Sequence, residues 1–243
     1  MQLNYRNKDN MIKEYTETKE WLDKAIDQPV EEIRTFFNKR SDGYDKLRMD
    51  EFWDDYKIIP NYLPNKFNTM LNIGCGSGFE FNFIFNKYPN INVTGIDISN
   101  AMLDKFRQKF IDKNIELINA DYFKYPFEKN QYDVVLSVQT LHHFKYDKKK
   151  EIYGKIYHAT KDNGFYYELD YMAQDEEYEK ICLEYSEKRR KKYNIPDDVF
   201  VHIDIPLTIK HQIELLSYVG FTRVEVLNKP FLNSNTVFLK ASK

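Results

Sequence analysis

The stretch that decides the fold of this 243-residue chain is Leu71-Asn72-Ile73-Gly74-Cys75-Gly76-Ser77-Gly78. An apolar strand end runs directly into a glycine-rich turn, and an aromatic-rich helix follows. Because glycine has no Cβ, the backbone of such a turn can approach a ligand closely. A second strand at residues 91–96 ends in Asp97, where a carboxylate can accept hydrogen bonds from both hydroxyls of a ribose. The pattern predicts a nucleotide-like cofactor at the first turn of a parallel α/β sheet.

The glycine spacing indicates which cofactor. A dinucleotide site has the spacing G-x-G-x-x-G, with a helix N-terminus aimed at the pyrophosphate. Here the order is Gly74-x-Gly76-x-Gly78, so the third glycine comes one residue early. This resembles the G-x-G-x-G loop of the class I S-adenosylmethionine (SAM) dependent methyltransferases. The resemblance implies that the loop, including Cys75, curls around the methionine part of SAM, and that the adenosine lies across the strand ends.

Further positions carry the same resemblance in the same order, which covers about residues 68–172. It implies that Asp97 binds the ribose, that Ile98 lies beside the adenine, and that Asp121 accepts a hydrogen bond from the adenine amino group. The cofactor contacts that the resemblance implies are Tyr44, Gly74, Cys75, Gly76, Gly78, Asp97, Ile98, Met102, Asp121, Tyr122 and Val138. Simpler interpretations stay open: Asp97 as a helix cap, Asp121 as a turn former and Asp133 as a residue that starts a strand.

The catalytic candidates follow the fourth predicted strand. Residues 132–144 are similar to the D-V-V-x-S-x-x-x-L-H-H pattern of small-molecule methyltransferases, and they end in His142 and His143. Methyl transfer from a sulfonium is an in-line displacement in which the cofactor carries the reactivity, so a base is needed only when the nucleophile must lose a proton. Either histidine can accept such a proton near pH 7. The alternative is that they only shape the pocket.

Four other groups are weaker candidates. Tyr44 is expected to close over the cofactor or simply to pack in the N-terminal segment. Arg48 is a candidate for the cofactor carboxylate, as are Arg34 and Arg40. Glu168 and Asp170 share one face of the fifth strand and could contact substrate or cap the next helix. The remaining candidates, His202 and His211, are expected at the surface or at a helix terminus.

The alternation of elements predicts the architecture. Strands at 69–74, 92–97, 115–119, 133–138 and 165–170 alternate with helices at 79–87, 99–113 and 147–160, as in a parallel sheet with right-handed crossovers. Final strands at 221–227 and 235–241 are expected to be antiparallel. The predicted fold is a seven-stranded, Rossmann-like, mostly parallel sheet with helices on both faces.

Two segments lie outside this core. Residues 1–67 are expected to form an N-terminal helical lid, with helices ending near Pro29, at 30–40 and at 50–59. Residues 68–243 form the SAM-binding domain, with an insertion at about 172–206 that begins as a charged helix. A Thr208-capped helix follows the insertion and ends at Gly220.

Composition limits the partners. The net charge is −2, so overall electrostatics do not attract nucleic acid or an anionic membrane. The spacing of the two cysteines is typical of neither a disulfide framework nor a metal site. Residues 1–10 lack the apolar core of a signal peptide. No apolar run is long enough to span a bilayer. We therefore expect a cytoplasmic enzyme with a small-molecule substrate.

The run of cations at 188–192 supplies the main alternative. Five consecutive cations can bind phosphates, as in an RNA- or tRNA-modifying methyltransferase, but they more often form the solvated face of a helix. The motif N/D-P-P-Y/F of base-amino methyltransferases is absent, since 139–142 read Gln-Thr-Leu-His. A SAM-binding protein without methyl transfer is the third hypothesis.

Overall fold

A computed structural model describes residues 8–228 and 235–243. The expectation about a signal peptide at residues 1–10 therefore falls largely outside the described residues. Within them, no helix combines the length and apolar character needed to cross a membrane.

The described strands form one sheet of seven strands in the order β3-β2-β1-β4-β5-β7-β6. Strands β3, β2, β1, β4 and β5 run parallel to one another, while β7 runs antiparallel to both β5 and β6. The strands are β1 (Thr69–Ile73), β2 (Asn92–Asp97), β3 (Ile115–Asn119), β4 (Tyr132–Val138), β5 (Thr160–Tyr171), β6 (Arg223–Val226) and β7 (Thr236–Ser242). The predicted sheet is confirmed, and the order reverses between β1 and β4, where open α/β sheets bind ligands.

Helices cover both faces of the sheet, because successive residues of each strand point to opposite sides. Leu71 belongs to one apolar core and its neighbour Met70 to the other. The first core contains residues of α7 and α9, and the second contains residues of α4, α5 and α6. The helices are α1 (Lys8–Ala25), α2 (Ile33–Arg40), α3 (Tyr44–Lys57), α4 (Ile59–Tyr62), α5 (Phe81–Lys87), α6 (Asn100–Lys109), α7 (Tyr146–Ala159), α8 (Glu176–Lys192) and α9 (Ile209–Tyr218).

Several predicted boundaries were wrong. Helix α3 begins at Tyr44, six residues before the predicted start at 50, because Gly43 (φ +82°) completes the turn and Asp45 then lies in the first helical turn. An acid there interacts favourably with the helix dipole. Helix α6 ends at Lys109 rather than at 113. Strand β5 begins at Thr160 rather than at 165. Its pairing with β4 contains a register shift, and Asn163 in this part of β5 has a positive φ of +65°.

The end of the insertion crosses the carboxyl edge of the sheet. Val201 forms a β-bridge with Glu32, and the backbone N–H of Ile33 donates to the carbonyl of Phe200 at 3.1 Å. Further along, the N–H of Ile205 donates to the carbonyl of His142 at 2.6 Å. Residues 200–205 are thus fixed between the N-terminal segment and the loop after β4.

Candidate active site

The glycine loop after β1 leaves open space at one position only. A Cβ on Gly74 would lie 2.1 Å from Thr140 Oγ1, and one on Gly78 would lie 2.6 Å from the ring of Phe106. A Cβ on Gly76 would meet nothing closer than the Met102 methyl at 3.5 Å. Gly74 and Gly78 are therefore required by the packing of the protein itself. Gly76, with φ +49°, borders room for a ligand.

Asp97 fixes the loop from the end of β2. One carboxylate oxygen accepts from the backbone N–H of Gly76 at 2.9 Å, and the other accepts from the N–H of Ser99 at 2.8 Å. Ser99, not Asp97, is the N-cap of α6. Burial raises the pKa of Asp97, and the backbone donors act against that rise. Because each carboxylate oxygen has a second acceptor position, both oxygens can still receive a ligand hydroxyl.

Two cavities meet at this carboxylate. The large cavity, about 670 Å³, extends from Gly74 and Asp97 past the adjacent strand ends to the insertion. The loop cavity, about 30 Å³, lies over the glycine loop. Predicted residues lining the large cavity are Gly74, Asp97, Ile98, Asp121, Tyr122 and His143. Those lining the loop cavity are Tyr44, Gly74, Cys75, Gly76, Asp97, Met102 and Val138. Gly78 lines neither.

Asp121 also takes part in its own turn. One of its oxygens accepts from the N–H of Phe123 at 2.9 Å, as expected of a turn former. The rings of Tyr122 and Phe123 lie side by side, 5.0 Å between centroids, and both line the large cavity. This end of the cavity therefore combines an acid with aromatic surface.

Helix α3 brings Tyr44 and Arg48 over the glycine loop. The α3 residue Asp45 is bound by the Ser77 hydroxyl of the loop and pairs with Lys109 at 2.5 Å. The Arg48 guanidinium lies 4.7 Å from the centre of the Tyr44 ring, and its Nε is buried without a hydrogen-bond partner in the described part of the chain. By contrast, Arg40 is paired with Glu31 at 2.6 Å, so the structure favours Arg48 over Arg40 as an anion ligand.

His142 is held by a buried carboxylate from β5. Its Nδ1 lies 2.5 Å from Asp170 Oδ1, and Asp170 also accepts from the N–H of Leu141 at 2.8 Å. Burial lowers the pKa of His142, but the charge and hydrogen bond of Asp170 outweigh burial and raise it overall. For His143 the pKa is lowered, first by burial and then by the charge of His142.

The insertion adds Asp204, which sequence reasoning missed, and His202, which it misplaced. Asp204 Oδ1 lies 3.1 Å from His143 Nδ1 and 3.6 Å from His142 Nε2. The His202 ring stacks on Phe36 at 3.5 Å between centroids and lies 4.6 Å from the His143 ring. The expectation that His202 is a surface or helix-terminus residue was therefore wrong. Burial lowers its pKa to about 3. His211 does lie in the first turn of α9.

No local sequence signal indicates this pair. His202 and Asp204 are two residues apart, but the backbone bends at His202, where the N–H of Ile203 donates to the carbonyl of Val201 at 3.0 Å, so the alternation of a strand does not apply. Nothing in the sequence indicates that either residue faces the loop after β4.

A third cavity, the helix cavity, lies between α1 and α8 and has a volume of about 510 Å³. One part of its walls is aromatic and apolar, with Trp21 and Leu22 from α1 and Tyr178 and Tyr185 from α8, and another part is polar and includes Arg189. His202 and Asp204 line one side of it. His142, His143 and Asp204 form a histidine–aspartate cluster, which thus contacts the large cavity through His143 and the helix cavity through Asp204.

Glu168 does not reach these cavities, although it shares a face of β5 with Asp170. It is fully buried, and Tyr153 and Gln212 contact its carboxylate at 2.7 and 3.2 Å. Burial raises its pKa to about 7. The buried Lys149 lies near both acids and has a lowered pKa, again mainly through burial. Glu168 therefore belongs to a polar network beneath the site.

The run of cations at 188–192 is not a free basic face. Arg189 is buried and donates to the carbonyl of Gln28 at 2.6 Å. Arg190 donates to the carbonyl of Val199 at 3.0 Å, and Lys192 pairs with Asp27. The expectation of a fully solvated face was wrong for Arg189, because this side chain ties α8 to the end of α1.

Comparison with known proteins identifies a methyltransferase domain within the chain. The family model described as a methyltransferase domain matches residues 70–164, the part of the chain that carries the glycine loop, Asp97 and the histidine pair. This match and the fold of solved structures together support a class I SAM-dependent methyltransferase. The predictions of a methyltransferase and of SAM as its cofactor are confirmed.

Relatives of this methyltransferase differ in how much of it they match. It is 22% identical over 222 residues to the carboxy-S-adenosyl-L-methionine synthase of Nautilia profundicola, covering 84% of this chain and 94% of that protein. It is 27% identical over 148 residues to the malonyl-[acyl-carrier protein] O-methyltransferase of Priestia megaterium, covering 56% of this chain and 54% of that one. The chain thus spans about half the length of the second relative.

A solved structure agrees in fold. Human N-acetylserotonin methyltransferase in complex with SAM superposes with a TM-score of 0.61 at 20% identity, covering 82% of this methyltransferase and 55% of the human chain.

Proposed function

We propose that this methyltransferase transfers the methyl group of SAM, by in-line displacement, to a small-molecule acceptor bound in the helix cavity. The observation that carries the proposal is the position of the histidine–aspartate cluster, which contacts the large cavity on one side and the helix cavity on the other. A transferase of this kind needs two adjacent sites whose ligands meet.

On the cofactor side, we propose that Asp97 binds the ribose, with Asp121, Tyr122 and Ile98 around the adenine. The open space over Gly76 and the buried, unpartnered Nε of Arg48 fit the methionine part, with Tyr44 closing over it. When bound, SAM supplies an electrophilic methyl group. The role of residues 1–67 as a lid over a domain at 68–243 remains a prediction.

On the acceptor side, the helix cavity has the size of a small-molecule site, which is typically about 300–1,000 Å³. Its aromatic walls suit a planar or apolar acceptor. We propose that the acceptor approaches the cofactor beside His143, which lines the large cavity, and its neighbour His142. An RNA acceptor has less support, because Arg189, Arg190 and Lys192 of the cationic run are already bound within the chain.

The extent of one relative's match favours a second candidate activity, the synthesis of a carboxylated SAM. The carboxy-S-adenosyl-L-methionine synthase matches 84% of this chain, whereas the malonyl-[acyl-carrier protein] O-methyltransferase matches 56%. If the chain shared that synthase's reaction, its product would be a carboxylated cofactor rather than a methylated acceptor.

The test is incubation of the purified chain with SAM carrying a labelled methyl group and a cell extract that contains metabolites, RNA and proteins, followed by mass analysis of each fraction. We expect the label in a small molecule, together with S-adenosylhomocysteine. Label in RNA or in a carrier protein would contradict the proposed acceptor class. A carboxylated SAM without a methylated product would favour the second activity.

A further inference from the structure

We infer that His142, His143 and Asp204 bind a divalent transition-metal ion such as Zn²⁺, and that this ion activates a hydroxyl-bearing acceptor. The inference deepens the proposed function and rests on it for the acceptor. The metal site itself rests only on the geometry of the cluster.

The spacing of the side-chain atoms fits such an ion. One donor atom from each of the three residues lies within 4.8 Å of the others. Asp204 Oδ1 is 3.1 Å from His143 Nδ1 and 3.6 Å from His142 Nε2. Nitrogen and oxygen ligands at about 2.1 Å from a tetrahedral ion stand about 3.4 Å apart. Small side-chain movements would therefore complete the site.

The surroundings of His142 orient it as a ligand. Its Nδ1 lies 2.5 Å from the buried Asp170 carboxylate, so the other ring nitrogen, Nε2, faces Asp204. Histidines that bind metals almost always donate their second ring nitrogen to a carboxylate or carbonyl in this way. Asp170 is a positioning residue in this account.

His143 gives an independent sign of a missing partner. Its side chain is 3% exposed, and Nδ1 has no hydrogen bond of good geometry to any described residue, although Asp204 is only 3.1 Å away. Buried polar atoms are nearly always bonded, and the exceptions call for an explanation. A metal ion between His143 and Asp204 would satisfy both.

The ligand set also leaves room for an acceptor. Two histidines and one carboxylate are the usual number of protein ligands of a catalytic zinc ion, whose remaining position takes water or substrate. Asp204 is 47% exposed and lines the helix cavity. The open position would therefore be reached from the aromatic cavity, which favours an acceptor that combines a ring or apolar body with a hydroxyl group.

The reaction balances without another reagent. The ion lowers the pKa of the acceptor hydroxyl, whose proton passes to water. The acceptor oxygen forms a bond to the methyl carbon while the sulfur–methyl bond breaks, which yields a methyl ether and S-adenosylhomocysteine. No group is oxidised or reduced.

The test titrates the full chain with Zn²⁺ alone, and then with Co²⁺ as a spectroscopic probe, without cofactor or acceptor. We expect one equivalent of Zn²⁺ to bind and Co²⁺ to give the visible bands of a low-coordinate nitrogen and oxygen site. Asp204→Asn and His143→Gln should each weaken Zn²⁺ binding by about 100-fold or more, since loss of a supporting contact alone costs about 10- to 100-fold.

Matched controls separate this site from general surface binding. Asp197→Asn makes the same change at an exposed residue of the insertion, and His158→Gln does so at an exposed histidine of α7. Both should bind Zn²⁺ like the parent chain. Absence of binding in the parent, or equal binding in Asp204→Asn and Asp197→Asn, would overturn the inference. Circular dichroism shows whether each variant is folded.

The two proposals fail in different ways. If Zn²⁺ does not bind but the labelled methyl group still reaches a small molecule, the metal inference is wrong and the proposed function stands. If Zn²⁺ binds at Asp204 but no methylated small molecule forms with or without it, the metal site stands and the proposed function is wrong.

Discussion

The proposed cofactor side and the proposed acceptor side of this molecule are built in different ways. On the cofactor side, the backbone N–H of Gly76 donates to the side-chain carboxylate of Asp97 within one strand-turn-helix-strand unit. On the acceptor side, the helix cavity is formed by α1, α8 and residues 202–204, which lie far apart in the sequence. The first arrangement is local in the sequence, whereas the second depends on tertiary packing. We therefore expect changes on one side to leave the other side's ligand largely unaffected.

The largest effect is expected for Asp97→Ala on the affinity for S-adenosylhomocysteine. Removal of the carboxylate leaves two ribose hydroxyls and two backbone donors without an acceptor, which should cost about 2–3 kcal/mol, or about 30- to 150-fold in Kd. Calorimetry measures this, with the 75% exposed Asp112→Ala as the control. An affinity equal to that of the control would show that Asp97 does not contact the ribose.

The next effect concerns the stability of the sheet beneath the cofactor side. Asp133 accepts from the N–H of Thr69 at 2.9 Å and pairs with Lys161 at 2.8 Å, and these contacts hold its pKa at about 2 against burial. The folded pKa lies below the ordinary value of 3.8. The stabilisation is therefore complete above about pH 5 and is lost as the pH falls through about 2.

Asp133→Asn should lower the free energy of unfolding by about 2 kcal/mol at pH 7, and by much less at pH 2. Urea denaturation at both values measures the difference. Asp162→Asn, at a side chain that is 78% exposed, is the control. A loss of the same size at both pH values would mean that the charge of Asp133 is not what stabilises β1.

A smaller effect should separate the two sides directly. Trp21 on α1 is 65% exposed and lines the helix cavity, so Trp21→Ala removes aromatic surface without opening the core. We expect the KM for the acceptor to rise by about 10-fold, because the lost apolar contact contributes about 1.4 kcal/mol to acceptor binding. The Kd for S-adenosylhomocysteine should stay within about twofold of the parent value. Tyr218→Ala, at a similarly exposed aromatic residue of α9, should change neither. A weaker cofactor affinity in Trp21→Ala alone would break the separation.

The smallest effect is expected for the cationic run. Lys188 and Lys191 are exposed and make none of the contacts described above for Arg189, Arg190 and Lys192, so the double change Lys188→Glu and Lys191→Glu should alter product formation by less than about twofold at any salt concentration. The assay is repeated at low and high salt. A large loss of product formation that is greater at low salt would favour RNA as the acceptor.

The same contrast explains what could be predicted from the sequence. The sheet, its antiparallel end and the glycine loop were predicted because strand alternation and glycine spacing are local patterns. The start of α3 was missed because Tyr44 and Asp45 are compatible with either a turn or a first helical turn. Docking of Asp45 onto Ser77 and Lys109 favours the helix, and no local pattern shows that contact.

The predicted site residues follow the same rule. His142 and His143 were singled out by their place after β4, yet Asp204 was not. Its approach depends on two backbone hydrogen bonds, in which Ile33 donates to Phe200 and Ile205 donates to His142. His202 was misplaced for the same reason. The roles proposed for the cofactor residues remain predictions until a ligand is bound.

The most direct test of the central claim is a crystal structure of the chain with S-adenosylhomocysteine. The account predicts adenosine in the large cavity, with both ribose hydroxyls on Asp97 and the homocysteine part over Gly76. Electron density for that ligand in another part of the molecule, with the space beside Gly76 and Asp97 empty, would contradict it.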